Sequence, residues 1–428
     1  MPHPFGFKRV RFFPNLIAID PQCHQLPHPT GSVKLDVPQM NTATPTNPLA
    51  LIAELTHRCP LHCVYCSNPL ELTARSAELP SETWSSVFQQ AAALGVLQAD
   101  FTGGEPLART DILDLIKSAR AAGLYVNLIT SGLPLDEQKL SQLVEAGLDH
   151  IQLSFQGADP GTAEEISGTK SHAQKLRVLE WLKKVRVAVT LNFVIHRRNI
   201  DQIDDMLKIA ESSSATRIEF ANVQYYGWGF ANRDSLLPTR AQLDRSLIKI
   251  KAAEERLRGK IRIESVVPDY YAKYPKPCMG GWGRKLMLIT PSGEALPCHA
   301  AKIIPGLRFA NVKDQSLAEI WRSSDAFQKF RGESWMEPPC KTCDRREIDF
   351  AGCRCQALLL TGDAAATDPV CTLSPSRPKI DAVLTAINSP TNENPAVVGV
   401  ALAPPPPRLG SNTTVDVHPE WLYRPNPS

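Results

Sequence analysis

The sequence predicts an α/β fold in which a partial (β/α)6 TIM barrel precedes a small cysteine-rich domain. Between residues 51 and 260, short apolar runs typical of strands alternate six times with amphipathic helical stretches, which indicates a parallel sheet covered by helices. Eight such units would close a barrel, so six indicate an open one whose functional loops follow the carboxyl ends of the strands. From residue 278 to residue 371, cysteine, glycine and proline become frequent, and helical periodicity persists mainly in 317–330.

Strands and helices follow one another in the order that six β/α units require. We expect strands at 51–55, 100–102, 125–129, 151–155, 187–195 and 217–223. We expect helices from about 81 onwards and at 111–122, 173–184, 200–210 and 240–258, with one more between the third and fourth strands. That helix carries Leu140, Leu143, Val144 and Leu148 on one face, which is the i, i+3, i+4, i+8 spacing of an apolar stripe.

Composition limits the size and the partners of the protein. The 428 residues are 43% hydrophobic with a formal net charge of +3, which suits two domains and gives no reason to expect nucleic acid or an anionic membrane. No apolar run approaches the roughly 18 residues that span a bilayer, and residues 1–48 lack a secretory core. We therefore expect a cytoplasmic protein. Its predicted segments are a flexible extension (1–48), the barrel (49–265), the cysteine-rich domain (266–380) and a proline-rich disordered tail (381–428).

Three cysteines, Cys59, Cys63 and Cys66, follow the first predicted strand in the run CPLHCVYC. A loop this short can turn three thiolates toward one metal centre. A structural zinc site takes four ligands, and no fourth ligand is obvious, although His57 and His62 lie nearby. A [4Fe–4S] cube held by three thiolates instead leaves one iron open. Iron–sulfur ligation is therefore favoured, and zinc stays an alternative.

A second motif, Thr102-Gly103-Gly104-Glu105-Pro106, follows the second predicted strand. Two glycines let a backbone approach a ligand closely, although this run alone could be an ordinary turn. Together, the two motifs resemble the radical SAM superfamily. The resemblance implies a [4Fe–4S] cluster that binds S-adenosyl-L-methionine (SAM) at its open iron, donates an electron to the sulfonium and releases a 5′-deoxyadenosyl radical.

The same resemblance implies that SAM contacts lie at the carboxyl ends of the strands. Each candidate is weak by itself, because a polar residue at a strand end also serves as a turn cap. The candidates are the Tyr65 backbone, Gly103, Gly104, Glu105, Thr130–Ser131, Ser154, Gln156 and Asn192.

Most of the remaining cysteines lie in the C-terminal region. Their pattern resembles the SPASM extension of peptide-modifying radical SAM enzymes, which implies two auxiliary iron–sulfur clusters, each [4Fe–4S] or [2Fe–2S]. A zinc ribbon around the CxxC run is the alternative. The implied inner cluster takes Cys278, Cys298, Cys353 and Cys355, and the outer one takes Cys340, Cys343, Asp349 and Cys371. Cys23 lies outside every cluster and is predicted to be a plain thiol.

Asp349 departs from the SPASM pattern, because it stands where that pattern has a cysteine. A carboxylate is a harder ligand than a thiolate and would weaken or retune the outer cluster. Direct ligation by Asp349 is the favoured interpretation. The alternatives are a carboxylate that accepts a hydrogen bond beside the cluster, or a solvated loop residue.

Longer runs narrow the resemblance to the PqqE family. These runs are CSNPL (66–70), VQYYGWGFANR (223–233), CMGGWGR (278–284), DFAGCRCQA (349–357) and LTGDAAATDPVC (360–371). The resemblance covers roughly 48–378 and implies a radical SAM oxidoreductase of the PqqA peptide cyclase type. Such an enzyme joins Glu and Tyr side chains of a ribosomal precursor peptide by a carbon–carbon bond in pyrroloquinoline quinone (PQQ) biosynthesis. The implied partners are a PqqA-like precursor peptide, a PqqD-like peptide chaperone and a flavodoxin-like reductant.

Two alternative functions stay open. One is another SPASM enzyme, such as a sulfatase-type maturase or a thioether-forming peptide enzyme. The other is a non-catalytic zinc-binding scaffold, which would leave the GGEP run unexplained. The aromatic residues Tyr225, Tyr226 and Trp228 either line a peptide channel or pack in the core, and the sequence identifies no catalytic base.

Overall fold

The computed structural model describes residues 47–389 and 421–427. Nearly all of the predicted N-terminal extension, including Cys23, lies outside the described residues, as does most of the predicted tail. Within the described residues, none of the helices has the length and apolarity that crossing a membrane requires.

Nine strands form one open sheet in the order β7-β6-β5-β4-β3-β2-β1-β8-β9. Neighbouring strands are parallel except β9, which runs antiparallel to β8. The predicted α/β class with an unclosed barrel is therefore confirmed. The strands are β1 (Ala50–Thr56), β2 (Gln98–Gly103), β3 (Tyr125–Thr130), β4 (His150–Phe155), β5 (Ala188–Ile195), β6 (Arg217–Asn222), β7 (Arg262–Ser265), β8 (Leu286–Ile289) and β9 (Ala295–Leu296).

Helices connect the strands and cover the sheet. Side chains cap their first turns: the Thr239 hydroxyl accepts from the Gln242 amide at the start of the helix Arg240–Arg256, and the Asp136 carboxylate accepts from the Lys139 amide at the start of the helix Glu137–Glu145. The helices are α1 (Ser81–Ala93), α2 (Ile112–Ala121), α3 (Glu137–Glu145), α4 (Pro160–Ser167), α5 (His172–Leu182), α6 (Ile203–Glu211), α7 (Gly227–Ala231), α8 (Arg233–Leu236), α9 (Arg240–Arg256), α10 (Leu317–Ser323), α11 (Asp325–Gln328), α12 (Arg346–Asp349), α13 (Arg354–Thr361) and α14 (Arg377–Asn388).

The sheet runs across the predicted boundary between residues 265 and 266. Strand β8 pairs with β1 from Ala50 opposite Leu286 to Ala53 opposite Ile289, so the cysteine-rich region shares the sheet of the barrel. The sequence analysis missed β7, β8 and β9, because two to four residues are too few to show a period. The pairing fixes the position of the cysteine-rich region relative to the loop that follows β1.

The prediction of a disordered tail from residue 381 is wrong for two stretches. Residues 381–388 complete α14, whose Ile380, Val383 and Ile387 are buried. The segment Trp421–Pro427 packs on the barrel, with the Tyr423 side chain buried. The proline-rich composition of the tail hid both stretches, because helix α14 and the short aromatic run are local features.

Candidate active site

The three cysteines that follow β1 lie on one loop, and helix α4 holds that loop from behind. The His62 amide donates to the Ser167 carbonyl at 2.8 Å, and the Val64 amide donates to the Ile166 carbonyl at 3.2 Å. The Thr169 hydroxyl donates to the Pro60 carbonyl at 3.0 Å. These bonds place Cys59, Cys63 and Cys66 at the carboxyl end of the sheet, where parallel α/β folds form their sites.

Burial disfavours the thiolate form of all three cysteines. It raises the pKa of Cys59 to about 12 and raises the pKa values of Cys63 and Cys66 as well. Negative charge on one cysteine further disfavours it on the others, because the three lie close together. A cationic metal centre would reverse this preference, since metal binding releases thiol protons. The donor set therefore suits a cluster with one open iron.

Gly103 and Gly104 admit the backbone of the cluster loop. The Gly104 amide donates to the Thr56 carbonyl at 2.6 Å, and the Glu105 amide donates to the Arg58 carbonyl at 2.7 Å. A Cβ atom on Gly104 would lie 2.4 Å from the Arg58 carbonyl oxygen, and one on Gly103 would lie 2.2 Å from that of Thr56. The sequence analysis explained the two glycines by the close approach of a ligand to the backbone. The structure shows that the strand ends themselves already require it.

The Glu105 carboxylate ties the ends of β2 and β3 together. It accepts from the Thr130 hydroxyl at 2.7 Å, the Ser131 amide at 2.7 Å and the Leu107 amide at 3.1 Å, and it also accepts from the Ser131 hydroxyl. Burial raises the pKa of Glu105, although these donors oppose that effect. The side chains of Glu105 and Ser131 thus bind each other, and the amides of both residues are already engaged in holding this rim.

Lys175 on α5 is a buried cation that the sequence analysis missed. Its ammonium donates to the Ser154 carbonyl at 2.7 Å and to the Gln156 side-chain oxygen. Burial lowers its pKa to about 8, while Cys63, Cys59 and Glu105 act in the opposite direction. Lys175 thus binds two predicted SAM contacts and interacts electrostatically with the cysteine loop. The sequence does contain a signal for its burial, because Lys175 lies on the same helix face as the apolar residues Val178, Leu179 and Leu182.

The other predicted SAM contacts lie around the same edge of the sheet. Ser154 on β4 is opposite Asn192 on β5. Burial raises the pKa of Glu219, although a hydrogen bond from the Asn192 side chain opposes that effect. The Tyr65 ring lies 5.8 Å from the ring of the buried His196, and its hydroxyl bonds to Gln156.

The four cysteines of the predicted inner set lie in contact with one another. The Sγ atoms of Cys298 and Cys355 are 3.9 Å apart. Cys278 also interacts with Cys298, and Cys353 interacts with both Cys278 and Cys355. These contacts lower the pKa of Cys298, because the Cys278 and Cys355 thiols donate to its sulfur.

The predicted outer set lines one cavity near the surface. Cys340, Cys343, Asp349 and Cys371 all face this cavity. The Asp349 carboxylate accepts from the Arg345 side chain and from the Ala351 amide, both at 3.2 Å. Asp349 is buried, which contradicts the alternative of a solvated loop residue.

Glu54 connects the surroundings of two cysteine groups. Its carboxylate lies 2.7 Å from Nδ1 of His299, which follows Cys298, and 3.5 Å from Nε2 of His57, near Cys59. Burial alone would raise the pKa of Glu54, but the two histidines lower it to about 2. The sequence analysis missed Glu54, although a charged residue within a wholly buried strand was a usable signal.

The aromatic segment after β6 is buried. Tyr225 packs on Tyr270 with ring centroids 5.0 Å apart, and Trp228 is fully buried. Tyr226 packs with Cys278, Cys298 and Cys355. Packing therefore accounts for Tyr225 and Trp228, whereas Tyr226 lies beside the inner cysteine set.

Sequence comparisons place the chain among known proteins. Residues 53–210 match the family model of the Radical SAM superfamily, and residues 278–344 match that of the SPASM iron–sulfur cluster-binding domain. The chain is 56% identical over 350 residues to a PqqA peptide cyclase of Methylobacterium nodulans, covering 81% of this chain and 92% of that protein. It is 53% identical over 338 residues to a PqqA peptide cyclase of Gluconobacter oxydans, covering 79% and 94%.

Solved structures share the fold at low sequence identity. SuiB of Streptococcus suis bound to S-adenosylmethionine matches with a TM-score of 0.65 and 19% identity, over 77% of this chain and 78% of that one. The enzyme anSMEcpe with bound AdoMet matches with a TM-score of 0.55 and 17% identity, over 79% and 96%.

Proposed function

Because the chain belongs to the PqqA peptide cyclase family of the radical SAM superfamily, we propose that it joins a Glu and a Tyr side chain of a PqqA-like precursor peptide in PQQ biosynthesis. The observation that carries this proposal is identity of 50–56% to several PqqA peptide cyclases over most of both chains. The inner and outer cysteine sets also support the proposed function, because a peptide cyclase that oxidises its substrate needs an electron acceptor.

We propose that Cys59, Cys63 and Cys66 hold a [4Fe–4S] cluster and that SAM binds at its open iron. The bound pair supplies a 5′-deoxyadenosyl radical that can take hydrogen from the glutamate γ-carbon. The Tyr65, Gly103 and Gly104 backbones line the rim of this site. Glu105 and Ser131 hold that rim in place. The opposite edge of the site is formed by Ser154, Gln156 and Asn192.

Lys175 adds the charge that such a site needs. SAM carries a carboxylate, and a buried ammonium with two of its three donors engaged has one donor left for it. A buried cation also offsets the negative charge of the thiolates. We therefore assign Lys175 to the SAM carboxylate.

The inner set fits a [2Fe–2S] cluster better than a cube. In a cube each iron takes one protein thiolate, so the ligand sulfurs stand at separate corners. In a [2Fe–2S] cluster each iron takes two thiolates, which are neighbours in one tetrahedron. The contact between Cys298 and Cys355 at 3.9 Å corresponds to such a pair. We propose [2Fe–2S] for this set and an iron–sulfur cluster of four ligands, including Asp349, for the outer one.

Replacement of Asp349 by alanine is expected to weaken or remove the outer cluster while the other clusters remain. The carboxylate is buried and faces the same cavity as Cys340, Cys343 and Cys371, so its loss removes one of four donors. Iron content and electron paramagnetic resonance (EPR) spectra measure the effect, and Asp344→Ala at an exposed neighbour is the matched control. Unchanged iron content and spectra in D349A would leave Asp349 as a hydrogen-bond acceptor only.

The proposed partners are a PqqD-like peptide chaperone and a flavodoxin-like reductant. The chaperone would present the precursor, and the reductant would supply the electron that SAM cleavage consumes. A cytoplasmic setting belongs to the same proposal, because the ten cysteines in the described parts of the chain form no disulfide, and cysteines that bind iron must stay reduced.

The test of the proposed function is the peptide product. The reconstituted, reduced protein is incubated anaerobically with SAM and a peptide carrying Glu and Tyr a few residues apart. Joining two carbons removes one hydrogen from each, so we expect a product lighter by two hydrogen atoms, located by tandem mass spectrometry. Peptides with Glu→Ala or Tyr→Ala should stay unmodified.

Other results separate the alternatives. A thioether-forming enzyme would require a cysteine in the peptide, and a maturase would oxidise a Ser or Cys side chain. A zinc scaffold would yield no 5′-deoxyadenosine. Production of 5′-deoxyadenosine without any cross-link would retain the radical SAM chemistry and contradict the proposed substrate.

A further inference from the structure

The C-terminal segment Trp421–Pro427, which we call the strap, lies on the loop that carries Cys59, Cys63 and Cys66. The Cys59 amide donates to the Asn426 side-chain oxygen at 2.9 Å. The Arg424 amide donates to the His62 carbonyl at 3.2 Å, and Nδ1 of His62 donates to the Arg424 carbonyl at 2.8 Å. Residues more than 360 positions apart therefore form one site.

Anchors on either side fix the strap in place. The Asn232 side chain binds both the amide and the carbonyl of Leu422, at 2.9 Å and 2.8 Å, and it also donates to the Val64 carbonyl of the cluster loop at 2.8 Å. The Tyr423 hydroxyl donates to the Glu165 carbonyl at 2.9 Å. Gly168 makes room for this ring, since a Cβ atom there would lie 3.1 Å from it.

Arg424 carries a buried positive charge at this position. Its side chain is 1% exposed, and its guanidinium donates to the His57 and Pro425 carbonyls. Its Nε atom has no hydrogen-bond partner within the described residues. A buried charge is costly unless an anion compensates it. The nearby anions would be the thiolates of the cysteine loop, to which the strap is hydrogen-bonded at Cys59 and His62.

We propose that the strap is part of the SAM-cluster site, where Arg424 acts as a positioning residue that holds and tunes the thiolate-ligated cluster. This inference rests on the three-cysteine cluster site proposed above. A cluster with three thiolates is anionic, so a buried guanidinium strengthens its retention. The same charge favours the more negative reduced state and raises the reduction potential. Asn426 completes the site by fixing the backbone at Cys59.

The test compares three full-length variants, R424Q, R424K and R177Q, with a chain that ends at residue 420. Arg177 is exposed on α5 and serves as the matched control. Loss of a neighbour of this kind typically lowers metal affinity, so R424Q and the truncation should release the cluster to a chelator roughly 10–100-fold faster. R424K should lie between R424Q and the wild type, because it keeps the charge and loses the planar fork.

Spectroscopy separates a local effect from misfolding. The auxiliary cluster signals should be unchanged in R424Q, whereas the EPR signal of the SAM cluster should shift and its reduction potential should fall. Wild-type retention, spectrum and potential in R424Q would overturn the inference. Loss of all clusters together would also overturn it, because the effect would then be on folding. None of these readouts needs the peptide, so a wrong substrate would leave the result intact, whereas a wild-type chain without this cluster would overturn both proposals.

Discussion

Cys63→Ala is expected to abolish 5′-deoxyadenosine production while leaving both auxiliary clusters in place. Cys63 is the most buried of the three cysteines on the β1 loop, and its removal leaves two thiolates for a cluster that needs three. Without the cluster SAM has neither its open iron nor its electron. Anaerobic reconstitution followed by mass spectrometry for 5′-deoxyadenosine measures the loss, which should reach the detection limit.

The matched control for this prediction is Cys353→Ala in the inner set. That variant should lose the inner cluster signal and peptide cross-linking but still cleave SAM, because the two cysteine groups are separate. Wild-type amounts of 5′-deoxyadenosine from C63A would remove these three cysteines from the proposed chemistry. Loss of every cluster in C63A would instead indicate that the variant does not fold.

The cysteine groups could be predicted from the sequence because their signals are local. The spacing of Cys59, Cys63 and Cys66 can be recognised without knowledge of the fold. The GGEP run lies at the end of a strand in both the prediction and the structure. The β/α alternation was equally readable, since strands buried on both faces are short apolar runs. The assignment of eight ligands to two auxiliary sets depended on family resemblance, and the structure brings the members of each set together.

The missed features depend on contacts between distant parts of the chain. Strand β8 has only four residues, and it can be recognised as a strand only from its pairing with β1. Glu54 and His299 are separated by 245 positions and meet because of that same pairing. Arg424 lies in a proline-rich tail and follows a short aromatic run, but its burial on the cluster loop depends on contacts with residues more than 360 positions away.

The pairing of β8 with β1 also determines how the sites are related. The β1 strand ends in the loop of the first cysteine group, and Cys278 and Cys298 flank the β8–β9 hairpin beside it. The Glu54 carboxylate then spans the gap through His57 and His299. The distance between the loop of Cys59, Cys63 and Cys66 and the inner cysteine set is therefore set by hydrogen bonds of the sheet. Such a constraint suits an electron acceptor that must lie close to a peptide radical.

Replacement of Lys175 by methionine is expected to weaken SAM binding and to stabilise the cluster-free protein. Removing one partner of a buried charge pair costs about 2 kcal/mol or more, which corresponds to at least about 30-fold in the dissociation constant for SAM. Equilibrium dialysis with the reconstituted protein measures this change. The stability of the cluster-free protein should instead increase. Burial lowers the pKa of Lys175 from 10.5 to about 8, so the protonated side chain destabilises the folded state and its removal relieves that effect.

The sign of the pH dependence follows from that direction. Burial of protonated Lys175 lowers the free energy of unfolding, and this loss of stability is fully present below pH 8. It shrinks as the pH rises toward 10.5 and vanishes above that value. K175M should therefore raise the free energy of unfolding at pH 7 by about 1–3 kcal/mol, after the lost hydrogen bonds are subtracted. Its advantage over the wild type should disappear at high pH, as denaturant titrations of the cluster-free protein would show. Lys183→Met, at the exposed residue that follows the last turn of α5, is the control. Equal SAM affinity in K175M and K183M would contradict the assignment of Lys175 to the SAM carboxylate.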